Sequence, residues 1–329
     1  MQPSSPEATL ANSPLSNPWI WLSAIVLLSA FYYVVDDVIG WESIFQEWKT
    51  VPALSLVSAY ILFIASHIIR AARIYLLLKG DRTELSLKRH FPAVLKSSSF
   101  HQFLNNLLPL RLGELSLPAL LKHNFNLSWG KGISKLVWLR VFDALVMGMV
   151  CAIILAVIFA RNIYTGLAIA FVLLVVVMLA MGIARLRGLS MHSFFYTFLN
   201  AAPSSIKEGT YLSALTATSW FFKLSALSII TMALGNIDFI TAISAIVAVE
   251  FSTLLPINGI AGTGSFEAAF ALGASLLTNL SETIIAIAIN LHAFVFLSTA
   301  SIAVFSLVIR RPDVLQNPQP IETRPCGSK

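Results

Sequence analysis

Long apolar stretches separated by short polar ones dominate this chain. Most of them approach or exceed the ~20 residues with which a helix crosses a bilayer. The pattern predicts six transmembrane helices, at 19–35, 52–78, 133–160, 163–184, 211–234 and 284–309. Two more apolar stretches, 97–121 and 239–278, contain Pro and Gly at their centres and do not fit uninterrupted spans.

Both exceptional stretches are interrupted at the tripeptide Leu-Leu-Pro, which ends at Pro109 in one and at Pro256 in the other. Glycines follow, then Glu114 or Glu267, then another apolar segment. Because Pro removes a helical hydrogen bond, the freed backbone groups must be buried in protein or face water. We therefore predict two re-entrant broken-helix hairpins. For 239–278, two kinked spans are the alternative, since about 40 residues could cross twice.

The loops give the orientation. Residues 79–96 are rich in Lys and Arg, whereas 36–50 are mainly acidic, so the positive-inside rule places 79–96 in the cytoplasm. The basic segments 122–135 and 185–207 then lie on the same side, and both termini are predicted to be cytoplasmic.

With this orientation, the order span, span, hairpin, span occurs twice with opposite direction. We predict an inverted-topology repeat, in which broken helices meet near the bilayer midplane. The repeats are 19–160 and 163–309, within a single transmembrane domain at 19–311. Residues 1–18 and 312–329 are polar or Pro-rich, and we expect them to be disordered tails.

Composition supports an all-α polytopic membrane protein, because 57% of residues are hydrophobic and 12% charged, against roughly 25% charged in soluble domains. The net charge of +6 fits basic loops facing anionic lipid, so we expect no nucleic-acid partner. Cys151 and Cys326 are too few and too separated for a disulfide framework or a Cys metal cluster. We expect neither a metal nor a cofactor.

Charged residues within the apolar stretches are the candidate functional groups, because each costs roughly 2.5–3.5 kcal/mol to insert. They must pair with one another or line a wet cavity. A purely structural ion network is one reading, and Arg140 with Asp143, at i and i+3, could satisfy each other. A binding site is the other. The candidates are Arg111, Glu114, Arg140, Asp143, Lys223, Glu250 and Glu267, with Asn258 and His292 added from the second half.

Some of these candidates have specific alternatives. Glu267 lies in the first turn of a half-helix and could simply cap it. Lys223 lies near the centre of its span. It would be either the counter-ion of a glutamate or a side chain that binds a phosphate group. His292 follows Glu267 by nearly the same interval that separates Arg140 from Glu114. Two further arginines, at 70 and 73, are interpreted as interfacial anchors at the cytoplasmic end of their span, and the alternative is that they guard an entry.

Three segments resemble the membrane domain of lysylphosphatidylglycerol synthases and their stand-alone relatives. They are PLRLGE at 109–114, LRVFD at 139–143 and the Pro- and Gly-containing run at 255–267 that ends in Glu. The resemblance implies a flippase-like fold that moves an aminoacylated phospholipid between leaflets. After Arg311 only a short Pro-rich tail follows, so we expect no soluble aminoacyl-transferring domain. His292 also departs from the Arg found in many relatives.

The sequence thus predicts a lipid translocase of a bacterial cytoplasmic membrane, not an enzyme, whose partners are membrane lipids. Arg111, Arg140 and Lys223 would bind a headgroup phosphate, because guanidinium suits bidentate oxyanion contact. The acidic candidates would hold these cations or bind a headgroup amine. A separate lipid-modifying enzyme would supply the substrate. No ATP-binding motif occurs in the sequence, so gradients, protonation or downhill exchange would drive transport.

Three other classes remain open. An ion-coupled small-solute transporter shares the same fold logic. An intramembrane enzyme, such as a lipid-linked glycosyltransferase, would use two carboxylates as acid and base, but the sequence has neither H-E-x-x-H nor G-x-S-x-G. A noncatalytic partner subunit would tolerate removal of the charges at the breaks.

Overall fold

The structure is a computed structural model that describes residues 40–81, 85–160, 205–253 and 260–309, with a few isolated positions near 29–37, 164 and 202–203. Every regular element in these ranges is helical. The predicted spans at 19–35 and 163–184 lie largely outside the described residues, as do both predicted tails and the segment 254–259, which includes Asn258.

Nine α-helices occur in the described ranges. They are α1 (Trp41–Thr50), α2 (Ala53–Asp81), α3 (Leu87–Leu107), α4 (Ser116–Phe125), α5 (Trp129–Leu155), α6 (Ile206–Gly235), α7 (Phe239–Ser252), α8 (Ser265–Ala274) and α9 (Glu282–Leu307). Four of them, α2, α5, α6 and α9, are long and apolar enough to cross a membrane. They coincide with four of the predicted spans, so the chain has the helices of a polytopic membrane protein.

The helix ends follow from local sequence. Asn126 and Asn236 adopt left-handed conformations, with φ of 48° and 49°, and end α4 and α6. Asn tolerates this region better than most residues with a side chain. Two residues later, Ser128 and Asp238 accept hydrogen bonds from the first turn of α5 and α7. The connections between these helices are therefore sharp and short.

Packing divides the described chain into two joined cores. The larger one combines α2, α5, α6, α7, α8 and α9 around the fully buried Phe63, Ile230 and Phe270. The smaller one joins α2, α3, α4 and α5 around Leu78 and Leu117. Helices α2 and α6 form the most extensive pair. Contact between α2 in the first half of the sequence and α6 in the second half thus holds the two halves together.

In the described part of each exceptional stretch, two helices flank a 3₁₀ turn. The first 3₁₀ turn, Pro109–Leu115, joins α3 to α4, and the second 3₁₀ turn, Ile260–Gly262, precedes α8. Helix α7 packs on α8, and α3 packs on α4. The two 3₁₀ turns contact each other. The two 3₁₀ turns are therefore neighbours at the junction of the two halves.

Two glycines permit close backbone approach in these hairpins. A Cβ on Gly113 would overlap the backbone of Leu104 and Asn105 in α3. A Cβ on Gly273 in α8 would overlap the backbone of Ser244 and Ala245 in α7. Each hairpin is thus packed more closely than any larger residue at these positions would allow.

Helix α1 corrects one prediction, because 36–50 was interpreted as a polar loop. In the structure Trp41–Thr50 is helical, and Ile44 is buried against Ala286 and Ile289 of α9. The Asn290 side-chain amide donates to the Ile44 carbonyl at 3.1 Å and to Glu47 Oε2 at 2.7 Å. The buried Ile44, the packing of Trp41 and Trp48, and one tertiary hydrogen-bond pair hold this segment, and none of these contacts is visible in the charge pattern.

Candidate functional site

Two adjoining cavities lie where the 3₁₀ turns meet. The inner cavity has a volume of about 110 Å³ and is walled by α2, α3, α5 and α6. The outer cavity has a volume of about 70 Å³ and reaches the second 3₁₀ turn and α9. Arg111, Lys223 and Glu250 line both. The two spaces form one polar region between the halves of the protein.

Asp143 of α5 is the anionic centre of the inner cavity wall and is 4% exposed. Its Oδ1 lies 2.5 Å from Arg73 Nη1 and accepts a hydrogen bond from Trp220 Nε1 at 2.9 Å. Arg73 Nη1 also donates to Thr216 Oγ1 at 3.1 Å. Asp143 therefore ties α2 and α6 to α5, and its carboxylate is fully engaged by neighbouring donors.

Glu114, in the first 3₁₀ turn, forms a two-contact ion pair with Arg140 of α5. The Nη2–Oε1 distance is 2.6 Å and the Nε–Oε2 distance is 3.1 Å. Arg140 Nη1 also lies 3.5 Å from Asp143 Oδ2, and Arg111 Nη2 lies 3.7 Å from Glu114 Oε1. Alternating charges thus run from the first 3₁₀ turn through α5 to Arg73. The i,i+3 contact predicted for Arg140 and Asp143 exists, but each has a closer partner.

Lys223 of α6 has a glutamate counter-ion, one of its two predicted alternatives. Its Nζ lies 2.6 Å from Glu250 Oε1 on α7 and 5.2 Å from the centre of the Trp220 ring. Because Lys223 and Glu250 line both cavities, this pair stands where the inner and outer spaces join.

Glu267 both caps its helix and forms a tertiary contact. Its Oε2 accepts from the Gly264 N–H at 2.8 Å, which confirms the capping geometry. Its Oε1 lies 2.7 Å from His292 Nδ1 on α9. The other imidazole nitrogen, Nε2, lies 2.7 Å from the Ala261 carbonyl oxygen. Glu267 of α8 thus contacts the following long helix, α9, as Glu114 contacts α5.

Each 3₁₀ turn contains a residue other than glycine in the left-handed region. These are Arg111, with φ of 58°, and Ala261, with φ of 54°. Such a conformation costs about 1–2 kcal/mol per residue, so the surrounding contacts must maintain it. At Arg111 this left-handed conformation directs the guanidinium to the lining of both cavities. At Ala261 it directs the carbonyl oxygen towards His292.

Arg70 differs from the other cations of the site. Within the described ranges no carboxylate forms an ion pair with it, and its Nε and Nη2 are buried without a hydrogen-bond partner. Its guanidinium lies 4.7 Å from the centre of the Trp220 ring. His67, one turn earlier on α2, also has its buried Nε2 without a partner in the described structure. Both line the inner cavity. Arg70 presents unsatisfied donors to it, whereas His67 presents an acceptor nitrogen, because its Nδ1–H donates to the Phe63 carbonyl.

The placement of Arg70 and Arg73 corrects their interpretation as interfacial anchors. Arg73 is 3% exposed and paired with Asp143, and Arg70 lines the inner cavity. The missed signal was the three-residue spacing of His67, Arg70 and Arg73, which puts three polar groups on one face of an apolar helix.

The site as described carries more positive than negative charge. Five basic side chains, from Arg and Lys residues, meet three carboxylates around the two cavities, with the Glu267–His292 pair at the outer edge. They are Arg70, Arg73, Arg111, Arg140 and Lys223 against Glu114, Asp143 and Glu250. A region of this kind attracts anions. In the described residues no three His, Cys, Asp or Glu side chains are grouped as metal ligands would be.

A comparison with protein families identifies the chain. The family model described as the lysylphosphatidylglycerol synthase TM region matches residues 19–302. The chain belongs to this family. The match includes both hairpins and every residue of the site described above, so the resemblance expected from the short motifs extends over most of the chain. No curated protein matches the sequence. Membership in the lysylphosphatidylglycerol synthase TM family links the chain to membrane lipids.

Proposed function

We propose that this protein moves the polar headgroup of a phospholipid between leaflets through the polar region at the junction of its two halves. One observation carries the proposal: two adjoining cavities with excess positive charge lie between interrupted helices, inside a bundle of membrane-length helices. Family membership supports a lipid substrate. In this mechanism acyl chains remain in the bilayer while the headgroup crosses the protein.

Helix lengths support re-entrant hairpins. Helices α7 and α8 have 14 and 10 residues, and α4 has 10, all short of the ~20 residues that cross a bilayer. Helix α3 has 21 residues but is not among the four helices that are both long and apolar enough to cross. In this proposal each hairpin enters from one side and returns to it. Residues 239–278 then form one hairpin, not two kinked spans.

Three equivalences support an inverted repeat. The corresponding spans α2 and α6 pack together, the two 3₁₀ turns contact each other, and each hairpin glutamate pairs with the next long helix. In inverted-repeat transporters such an arrangement permits alternating access by rocking one half against the other. The basic loops then put both termini in the cytoplasm of a bacterial cell, with the protein in the inner membrane.

Within the site, we assign the headgroup phosphate to the inner cavity. Arg70 is the principal ligand in this assignment because its guanidinium has no anionic partner in the described structure, and guanidinium groups bind phosphate oxygens with paired hydrogen bonds. Arg111 and Lys223, on both cavities, would contact the headgroup as it passes. Arg140 and Arg73 stay bound to carboxylates and hold the site together.

Headgroup accessibility in proteoliposomes tests the proposal. Vesicles of phosphatidylethanolamine and phosphatidylglycerol would contain phosphatidylglycerol with a fluorescent headgroup or acyl label, and a membrane-impermeant quencher would report its appearance in the outer leaflet. Wild-type protein should accelerate exchange over protein-free vesicles. Arg70→Ala should lose most of this acceleration, whereas Lys88→Ala, which removes an exposed cation from the first turn of α3, should keep it. Equal rates with wild type and without protein across anionic and aminoacylated lipids would exclude the translocase.

The cavity sizes favour one alternative, transport of a small anion. Volumes of about 110 and 70 Å³ suit an inorganic anion better than a complete lipid headgroup. Uptake of labelled inorganic phosphate into the same proteoliposomes separates the two functions. Uptake without lipid exchange would support the small-solute transporter and reject the translocase.

A further inference from the structure

The His292 imidazole lies between two oxygen atoms. Nε2 is 2.7 Å from the Ala261 carbonyl oxygen, and Nδ1 is 2.7 Å from Glu267 Oε1. A carbonyl oxygen only accepts hydrogen bonds, so Nε2 must carry a proton. A neutral imidazole has one N–H, which this contact already uses.

The second contact therefore requires an additional proton. If His292 holds it, an imidazolium faces the Glu267 carboxylate; if Glu267 holds it, a carboxylic acid donates to Nδ1. In both arrangements one proton lies between Nδ1 and Oε1. The other carboxylate oxygen of Glu267 is occupied by the Gly264 N–H, so the shared proton is confined to one pair of atoms.

We propose that Glu267 and His292 together form a binding site for one exchangeable proton, and that its occupancy controls the second 3₁₀ turn. The proton is taken from water and returned to water. As a coupling site for headgroup movement it rests on the proposed translocase, but proton binding itself does not.

Loss of the proton removes a support of the turn. The Nδ1 lone pair would then face a carboxylate oxygen, and the ring must rotate or move away. Movement of the ring breaks the Nε2 contact with Ala261, which lies in the left-handed region together with Gly262 and Gly264 at φ of 80° and 83°. Because this turn contacts the first 3₁₀ turn, proton loss acts where the two halves meet.

The surroundings favour an imidazolium when the site is occupied. The ring of Phe266 stacks on His292 at 4.3 Å with an interplanar angle of 9°, a geometry that stabilises a cation. Charged groups facing the pair from neighbouring elements are Lys223 on α6, Glu250 on α7 and Arg111 on the first 3₁₀ turn; Glu47 on α1 contacts Asn290 of α9. Lys223 and Glu250 neutralise each other, and Arg111 lies 3.7 Å from Glu114, so neither cation stands beside the imidazolium without a counter-charge.

The corresponding pair in the other hairpin contains an arginine in place of the imidazole. Arg140 keeps its charge at every physiological pH, whereas imidazole gains and loses a proton in that range. The cation in one half of the site therefore has a permanent charge, whereas the charge in the other half can change with pH. His292→Arg should convert the second pair into a copy of the first.

Nitrogen NMR of the protein in lipid nanodiscs, with ¹⁵N-labelled histidine, tests proton binding without any substrate. The His292 signals are assigned with His292→Gln. As the pH is raised, they should change from two protonated nitrogens, with the site occupied, to one protonated nitrogen after the proton is lost. A protonation state that stays the same from acidic to alkaline pH would overturn the proposal. His123→Gln removes an exposed histidine of α4 and should leave the His292 titration unchanged.

Hydrogen exchange of the 260–267 peptide tests control of the turn. After correction for intrinsic exchange rates, deuterium uptake in wild type should rise as His292 loses its proton. His292→Arg should abolish this pH dependence. Uptake that changes with pH equally in both proteins would overturn the link between the proton and the turn.

Lipid exchange under an imposed pH difference tests coupling. Using the labelled phosphatidylglycerol assay, the wild-type rate should change when the pH difference across the vesicle is reversed, and the His292→Arg rate should not. If wild type moves no lipid at any pH, the translocase fails, while the NMR titration still decides whether the proton site exists. Lipid exchange in wild type that ignores the pH difference would reject the coupling alone.

Discussion

Glu114 and Arg140 join the first 3₁₀ turn to a membrane-length helix through two contacts, 2.6 Å and 3.1 Å long. The pair is partly buried, with side chains 16% and 31% exposed. Two parallel contacts fix the orientation of the guanidinium as well as its distance. The break is therefore held against α5 by a directional contact that a single charge could not provide.

A double-mutant cycle should reveal this coupling. Glu114→Gln and Arg140→Gln should each destabilise the protein, and the double variant should be more stable than the sum predicts. We expect an interaction energy of about 1 kcal/mol or more, measured by thermal or denaturant unfolding in detergent. The exposed pair Glu42 and Gln46 on α1 is the control, with an expected coupling below about 0.5 kcal/mol. A coupling near zero for Glu114 and Arg140 would contradict the directional role.

Replacing Arg73 and Arg70 one at a time should distinguish a charge that stabilises the fold from a charge that is available to bind substrate. Arg73→Ala leaves Asp143 buried without its closest partner, so we expect a loss of about 3–5 kcal/mol of stability. Arg70→Ala breaks no ion pair in the described structure and should change stability by no more than about 1 kcal/mol, mainly through its contact with Trp220. Unfolding measurements on both variants give the comparison. Equal destabilisation would show that Arg70 is part of the structural network.

Close approach at Gly113 should make it intolerant of any side chain. Gly113→Ala forces the first 3₁₀ turn away from α3 and should cost about 1–3 kcal/mol or more. Gly148→Ala is a matched control, because nothing lies within 4 Å of its added Cβ in α5. Since alanine favours a helix interior over glycine, it should stabilise the protein by about 0.5–1 kcal/mol. A change in stability of the same sign for both variants would contradict the close packing described at Gly113.

Glycine at position 261 should relieve backbone strain. Ala261 has φ of 54°, which glycine adopts freely, so Ala261→Gly should stabilise the folded protein by about 1 kcal/mol. Ala268→Gly, in the regular and exposed part of α8, should instead destabilise it by about 0.5–1 kcal/mol. Thermal unfolding of the two variants checks the opposite signs.

The cap of α7 should give a pH-dependent contribution to stability. Hydrogen bonds from the Thr241 hydroxyl and backbone, and from the Ile240 N–H, lower the pKa of Asp238. Because the pKa is lower in the folded protein, the stabilisation is present above the usual Asp pKa and is lost as the pH falls through the folded value. Asp238→Ala should cost about 1 kcal/mol near neutral pH, and the difference from wild type should shrink below about pH 4.

The sequence predicted the four long apolar helices that the structure describes and the break at Pro109, because both arise from local physics. Apolar length defines a span, and Pro109 ends α3 through its missing N–H. The similar intervals from Glu114 to Arg140 and from Glu267 to His292 make His292 a candidate, but spacing alone does not predict that these side chains are in contact. The i,i+3 contact of Asp143 with Arg140 follows from helical spacing, whereas its closest partner, Arg73, lies 70 residues away and comes into contact through the packing of α2. The packing of α1 was not predictable for the same reason, because its hydrogen-bond partner Asn290 lies 243 positions from Glu47.

Trp220 touches three parts of the charged site at once. Its indole N–H donates to Asp143, and its ring faces both Arg70 and Lys223. Indole fluorescence responds to nearby charge and to hydrogen bonding, so the intrinsic fluorescence of Trp220 should report changes in the charged site. Any anion that draws Arg70 away from the ring, or any tilt of α6 relative to α2, would shift its spectrum before a label is attached.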